Sequence, residues 1–132
     1  MNGDKKERLI NAAEGAWKKA YAPYSNFRVG AAIMTPSGEI YTGCNVENIS
    51  YGLTSCAERN AIFSAIAQNG PLEIEAIAVA CESPEGAPPC GACRQVIAEF
   101  GPRATVFYKR RGEFAETTLD NLLPASFDQL SV

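Results

Sequence analysis

Thr54–Ala61 reads TSCAERNA, and Pro88–Gln95 reads PPCGACRQ. Each stretch ties a cysteine to the start of a helix, and their joint reading decides the fold. In the first, Thr54 or Ser55 caps a helix running to about Gln68. Its apolar face carries Ala57, Ala61, Ile62, Ala65 and Ile66, and Asn69-Gly70-Pro71 stops it. In the second, Pro89 and Cys90 precede a helix over Gly91–Phe100, closed by Gly101-Pro102. Helix N-termini carry unpaired N–H groups and about half a positive charge, which favours thiolates. If the two helix starts face each other, Cys56, Cys90 and Cys93 converge on one point.

The flanking sequence supplies the layers. Apolar positions Leu9, Ala12, Ala13, Ala16, Trp17 and Ala20 recur at helical spacing over Lys5–Ala20, ending before Pro23. Phe27–Thr35 and Glu39–Cys44 flank the turn signal Pro36-Ser37-Gly38 and read as a hairpin. Ile74–Cys81 is almost continuously apolar, the pattern of a strand buried on both faces. Glu82–Pro89 is a Pro/Gly loop, Ala104–Tyr108 a further short strand, and Lys109-Arg110-Arg111 before Gly112 a solvated turn. Leu119, Leu122, Leu123, Pro124 and Phe127 form a helical turn packed on the body. Strands alternating with helices in the second half predict an α/β layered single domain over residues 1–132, opened by a hairpin.

Composition removes many chemistries. The 132 residues include no histidine, so no Ser-His or Cys-His nucleophile pair and no imidazole ligand exists. Any metal must be held by thiolates and carboxylates, and a general base is Glu or Asp. The net charge of −3, with its one basic run of three read as a solvated turn, argues against nucleic acid as a partner. No apolar run approaches the ~20 residues that span a membrane, and the N-terminus lacks the apolar core of a signal peptide. The expected compartment is the cytoplasm. Five cysteines, an odd number, do not suit a complete disulfide framework there.

The cysteines leave several readings open. Cys90-Gly91-Ala92-Cys93 alone suits redox chemistry as well as metal binding. Three thiolates on one zinc leave a fourth position for water, as catalytic sites do; a structural site would need Cys44 or Cys81 to close it. Ser55-Cys56-Ala57-Glu58 matches a capping box, in which Glu58 returns to the cap N–H. The same Glu58, beside a zinc held by Cys56, can carry protons. Three thiolates on Zn²⁺ give an excess of negative charge, which Arg59, Arg94 and the two helix dipoles are placed to offset.

Cys56-Ala57-Glu58 and Pro89-Cys90-Gly91-Ala92-Cys93 match the zinc deaminase signature, [H/C]-x-E followed by P-C-x-x-C. Tyr24–Ala31 (YSNFRVGA), Gly43–Asn48 (GCNVEN), Ser50-Tyr51-Gly52, and Leu122-Leu123-Pro124 with Phe127 extend the match. From about Ala13 to Phe127 the chain resembles the small homotetrameric cytidine deaminases. The resemblance implies a three-layer α-β-α domain with a mixed central sheet of about five strands. It implies one zinc per chain on Cys56, Cys90 and Cys93, with Glu58 as proton shuttle and Arg59 tuning the cysteine charge. Zinc-activated hydroxide would attack C4 of cytidine or deoxycytidine, giving uridine or deoxyuridine and ammonia, a step of pyrimidine salvage. Asn45 and Glu47 would hold the ribose and Phe27 would pack on the base, with Ala57 also lining the substrate site. Phe127, donated to a neighbouring subunit's pocket, and Tyr51, reaching across, would complete a homotetramer. Cys44 and Cys81 receive no role. The rival within the fold is a deaminase of a modified cytosine nucleoside such as blasticidin S. The rival of another class is a non-enzymatic structural zinc module.

Overall fold

Every residue of Ala76–Cys81 is buried, so this strand lies at the centre of a sheet covered on both faces. The computed structural model describes residues 1–130. Its elements are α1 (Gly3–Trp17), β1 (Val29–Met34), β2 (Ile40–Cys44), a 3₁₀ turn (Tyr51–Leu53), α2 (Ala57–Asn69), β3 (Ala76–Cys81), α3 (Gly91–Phe100), β4 (Thr105–Arg110), β5 (Glu113–Thr118) and α4 (Leu119–Leu122). The five strands form one mixed sheet in the order β2-β1-β3-β4-β5, in which only β3 and β4 pair in parallel.

Side-chain size divides the two faces of the sheet. Ile77, Val79 and Cys81 of β3 join Ala31 and Ile33 of β1, Ile62 and Ala65 of α2, and Ile97 of α3 in one cluster. Ala76, Ala78 and Ala80 face the other way, with Leu9 and Ala13 of α1, Met34 and Phe107. Alanines on that face let α1 lie close against the strands. Gly30 is required by this approach, because a Cβ there would strike the main chain of α1 at Ala13 and Trp17. Gly43 stands likewise against Ala57 and Ala61 of α2.

The sheet also explains why two helix starts meet. β2 and β3 are both antiparallel to β1, so they run in the same direction on either side of it. Gly30 pairs with Cys44 on one side and Ala80 on the other, which brings the C-terminal ends of β2 and β3 to the same edge. The chain leaves β2 there to reach α2, and leaves β3 there to reach α3. Clefts beyond strand C-termini are where open α/β sheets place their ligands.

Several expectations are corrected. α1 begins at Gly3, because Asn2 caps it by accepting from the Lys5 N–H at 2.9 Å, and it ends at Trp17 rather than Ala20. α2 starts at Ala57 with Cys56 as its N-cap, and neither Thr54 nor Ser55 caps it. The Ser55 main chain bonds Val46 in both directions at 3.0 Å, and its hydroxyl donates to Asn60 Oδ1 at 2.7 Å. No capping box therefore forms. β5, a strand that the sequence pattern does not predict, has the polar sequence EFAETT at a sheet edge, where half-exposed positions need no apolar alternation. Of the basic run only Arg111 is in the turn: Lys109 and Arg110 end β4, and Arg111 and Gly112 both take positive φ, as a two-residue hairpin turn demands. Phe127 lies beyond the one short tail helix, α4. The loop between β3 and α3 is stitched to this hairpin by Ala87 N–H to Lys109 O (3.1 Å), Gly112 N–H to Pro84 O (2.8 Å) and Arg111 N–H to Glu85 O (3.3 Å).

Replacing Gly30 with Ala forces α1 away from β1. Urea unfolding should show a loss of about 1–3 kcal/mol; an unchanged midpoint would contradict the packing described.

Candidate active site

The sulfurs of Cys56, Cys90 and Cys93 all lie within 4.8 Å of one another. Cys56 is the N-cap of α2 and Cys90 the N-cap of α3, and neither side chain caps its own helix, so both sulfurs are free to face the gap between the helices. Cys93, in the first turn of α3, is fully buried. The trio shares charge unevenly. Cys56 is pulled down to about 5, first by the hydrogen bond it receives from the Cys93 thiol and then by Arg59. Cys93 is pushed up by the same contact and by burial, and keeps its proton. Arg59 Nη2 donates to Cys56 Sγ at 3.2 Å, while its Nε is buried with no partner. Arg94 does not share this work. Its Nε donates to Pro89 O at 2.7 Å and its Nη1 to Leu122 O at 2.9 Å, which ties the loop and tail to α3.

This donor set fits a zinc ion. Three soft sulfurs at two positive helix ends, with one guanidinium against them, suit a thiolate-bound divalent metal and leave a fourth position open. A fourth thiolate is missing from the cluster among the described residues. Cys81 instead donates to Ser83 O at 3.2 Å.

Glu58 stands beside the trio and is 5% exposed. Burial, followed by the Cys56 thiolate, raises its carboxyl to about 7 despite a bond from its own main-chain N–H. A carboxyl at that value can both take and give a proton near neutral pH. Cys56, Glu58 and Cys90 line a cavity of about 250 Å³ together with Phe27, Asn45, Glu47 and Ala57. Eight of the eleven residues singled out from sequence are thus brought together: these seven and Cys93. Arg59 is bonded to one of the sulfurs.

The polar wall is built by main-chain ties. Asn45 Oδ1 accepts from Val29 N–H and its Nδ2 donates to Phe27 O, both at 2.8 Å, which locks the start of β1 and leaves one Nδ2 hydrogen for a ligand. Glu47 Oε1 accepts from Tyr24 N–H (2.9 Å) and Ser25 N–H (3.1 Å), and Oε2 from the Ser25 hydroxyl. These bonds, the hydroxyl first, hold the Glu47 carboxyl below its ordinary value.

Two residues named from sequence, Tyr51 and Phe127, neither line this cavity nor join the sulfurs. Tyr51, 75% exposed, lines an adjoining cleft of about 410 Å³ with Tyr24, Ser25, Glu47 and Thr54. Phe127 is 66% exposed, its carbonyl held by Gln95 Nε2 at 3.0 Å. Sequence reading passed over Ser25, Thr54, Ala87 and Pro88, which also line the cavity. Ser25 lies in the quoted YSNFRVGA stretch, and its neighbourhood to Phe27 was the available signal.

Residues 4–109 match the family model described as the cytidine and deoxycytidylate deaminase zinc-binding region. The chain is 45% identical to a cytidine deaminase of Sporosarcina psychrophila over 125 residues, covering 93% of this chain and 91% of the relative. It is 46% identical to one from Halalkalibacterium halodurans over 124 residues, 92% and 93% of the two chains. The crystal structure of the cytidine deaminase from Burkholderia pseudomallei superposes with a TM-score of 0.86 at 50% identity, covering 96% of this chain and 100% of that one. The chain belongs to the cytidine and deoxycytidylate deaminase family.

The raised Glu58 carboxyl has a consequence for the reduced, metal-free protein. The folded state holds this proton more tightly than the unfolded chain, so its contribution to stability is complete below pH 4.5 and disappears as pH rises through about 7. Over that interval wild type should lose about 3 kcal/mol relative to Glu58→Gln in denaturant titrations with chelator present. Parallel pH curves for the two proteins would refute the assigned burial.

Proposed function

We infer that this protein hydrolyses cytidine and deoxycytidine to uridine and deoxyuridine with release of ammonia. The observation that carries the reading is Glu58, buried beside three convergent sulfurs on the wall of a cavity that also presents an amide and a carboxylate. Cys56, Cys90 and Cys93 would hold one zinc per chain. When bound, zinc supplies a Lewis acid that makes water a nucleophile near neutral pH. Glu58 takes one proton from the attacking water and delivers it to N3 of the base, then takes the second from the hydroxyl now on C4 and delivers it to the amino group, which leaves as ammonia while C4 becomes a carbonyl. Its value of about 7 suits both directions of transfer. Arg59, bonded to Cys56, moderates the negative charge of the sulfurs.

Glu47, kept ionised by Ser25 and two main-chain N–H groups, accepts from ribose hydroxyls. The remaining Asn45 hydrogen donates to them. Phe27 and Ala57 wall the base. Ring-sized apolar surface with a few fixed polar groups is what a nucleoside requires.

The reading includes a homotetramer in which Phe127 and Tyr51 complete neighbouring sites. It is supported by their exposure, and by Ile49 at 79% and Leu53 at 70%, apolar surface that a partner would cover. It also places the enzyme, as a single domain, in pyrimidine salvage in the cytoplasm, consistent with its acidic composition. No helix of the described residues is long and apolar enough to cross a membrane.

Ultraviolet monitoring with cytidine, deoxycytidine, adenosine and blasticidin S in parallel should show loss of the first two only. Turnover of blasticidin S alone would transfer the reading to the rival within the fold. Glu58→Ala should keep zinc and lose at least about 10²-fold in kcat; retained deamination would refute the assigned mechanism, whereas a wild-type protein that holds zinc and turns over none of the four compounds would be a structural zinc module. Phe127→Ala should raise KM severalfold, and light scattering should give four times the chain mass. A monodisperse monomer that turns over normally would refute the shared site.

A further inference from the structure

Ser25 has a position that neither the zinc motif nor the ribose contacts explain. Its side chain is at the rim of the catalytic cavity and of the adjoining cleft. The Ser25 hydroxyl donates to Glu47 Oε2 and accepts from Phe27 N–H at 3.0 Å. The same residue's main-chain N–H donates to Glu47 Oε1 at 3.1 Å. One residue therefore grips both oxygens of the carboxylate and the residue that walls the base.

The local backbone is shaped for this grip. Asn26, between Ser25 and Phe27, takes the left-handed φ of 57°, uncommon for a residue with a side chain. Its N–H is bonded to Ala22 O at 3.0 Å, which holds the bend. The bend turns Phe27 N–H back onto the Ser25 hydroxyl. From the other side, Glu47 N–H donates to Tyr21 O at 2.9 Å, so the Glu47 main chain is fixed to the segment that carries Ser25. What remains free in Glu47 is rotation of its carboxylate, and the Ser25 hydroxyl is the one side-chain donor on it among the described residues.

We propose that Ser25 is a positioning residue for the deaminase, acting through Glu47: its hydroxyl fixes the carboxylate plane so that a lone pair is presented to the ribose. The inference rests on the nucleoside reading above. A carboxylate that must be ordered on each binding event loses affinity for the side-chain entropy of that ordering. Because ribose contacts are equal in ground and transition states, the loss falls on KM and not on kcat.

The test is a double-mutant cycle on the zinc-loaded enzyme with cytidine. Ser25→Ala should raise KM about tenfold with kcat within about twofold, the size of one hydrogen bond to a charged acceptor. Ser25→Thr, which keeps the hydroxyl, should return KM to within about threefold of wild type. In a Glu47→Ala background, Ser25→Ala should change kcat/KM by less than about threefold. Loss of threefold or more there, an unchanged KM in Ser25→Ala, or failure of Ser25→Thr to rescue would overturn the proposal. Wild-type turnover in the same assay separates the two readings. Without it the nucleoside function fails; with it, only the role of Ser25 is at stake.

Discussion

Two helix N-termini have to meet, and one feature of the sheet makes them do so. β1 runs opposite to both of its neighbours, so the ends of β2 and β3 fall at the same edge. α2 and α3 begin beyond those ends, with a cysteine at each cap. Reversing either neighbour would move one helix start to the opposite edge and scatter the sulfurs. The close approach at Gly30 and Gly43 serves the same end, since it seats α1 and α2 directly on the hairpin that sets these directions.

The cluster would be electrostatically unfavourable without its surroundings. Three thiolates and a carboxylate within a few ångströms repel, and burial deepens the cost. In the metal-free protein the strain is met by unequal sharing: Cys56 is ionised, Cys93 keeps its proton, and Glu58 is raised toward neutrality. A cation in the gap would replace that proton and reverse the sign of the local field. The raised Glu58 carboxyl therefore comes first from its burial and then from the Cys56 thiolate beside it.

Much of this was legible in the residues. The apolar run to Cys81 gave the central strand, and the two cysteine-bearing helix starts gave the trio. Glu58 was ambiguous from sequence because Ser55 and Glu58 have capping-box spacing. The structure resolves it through Val46, whose main-chain pairing with Ser55 has no signature in the residues of the helix start. β5 was missed for a related reason: a polar edge strand owes its existence to β4, not to its own pattern. Asn45 and Glu47 stood out as polar residues near the cysteines, but their anchoring on Phe27, Val29, Tyr24 and Ser25 depends on tertiary contact. Arg94 looked equivalent to Arg59 by proximity, yet a carbonyl on each side claims it.

The stitching of the β3–α3 loop to the β4–β5 hairpin bears on how ligands come and go. Three main-chain bonds hold the segment that carries Ala87, Pro88 and Cys90, and successive prolines stiffen its end. A wall fastened in this way is braced at both the loop and the hairpin. Ser25 and Glu47 continue the cavity into the adjoining cleft, where the rings of Tyr24 and Tyr51 meet edge to face at 6.0 Å. The side of the cavity formed by the loop thus has its shape fixed by main-chain bonds and proline rings, as a mould is fixed by its frame.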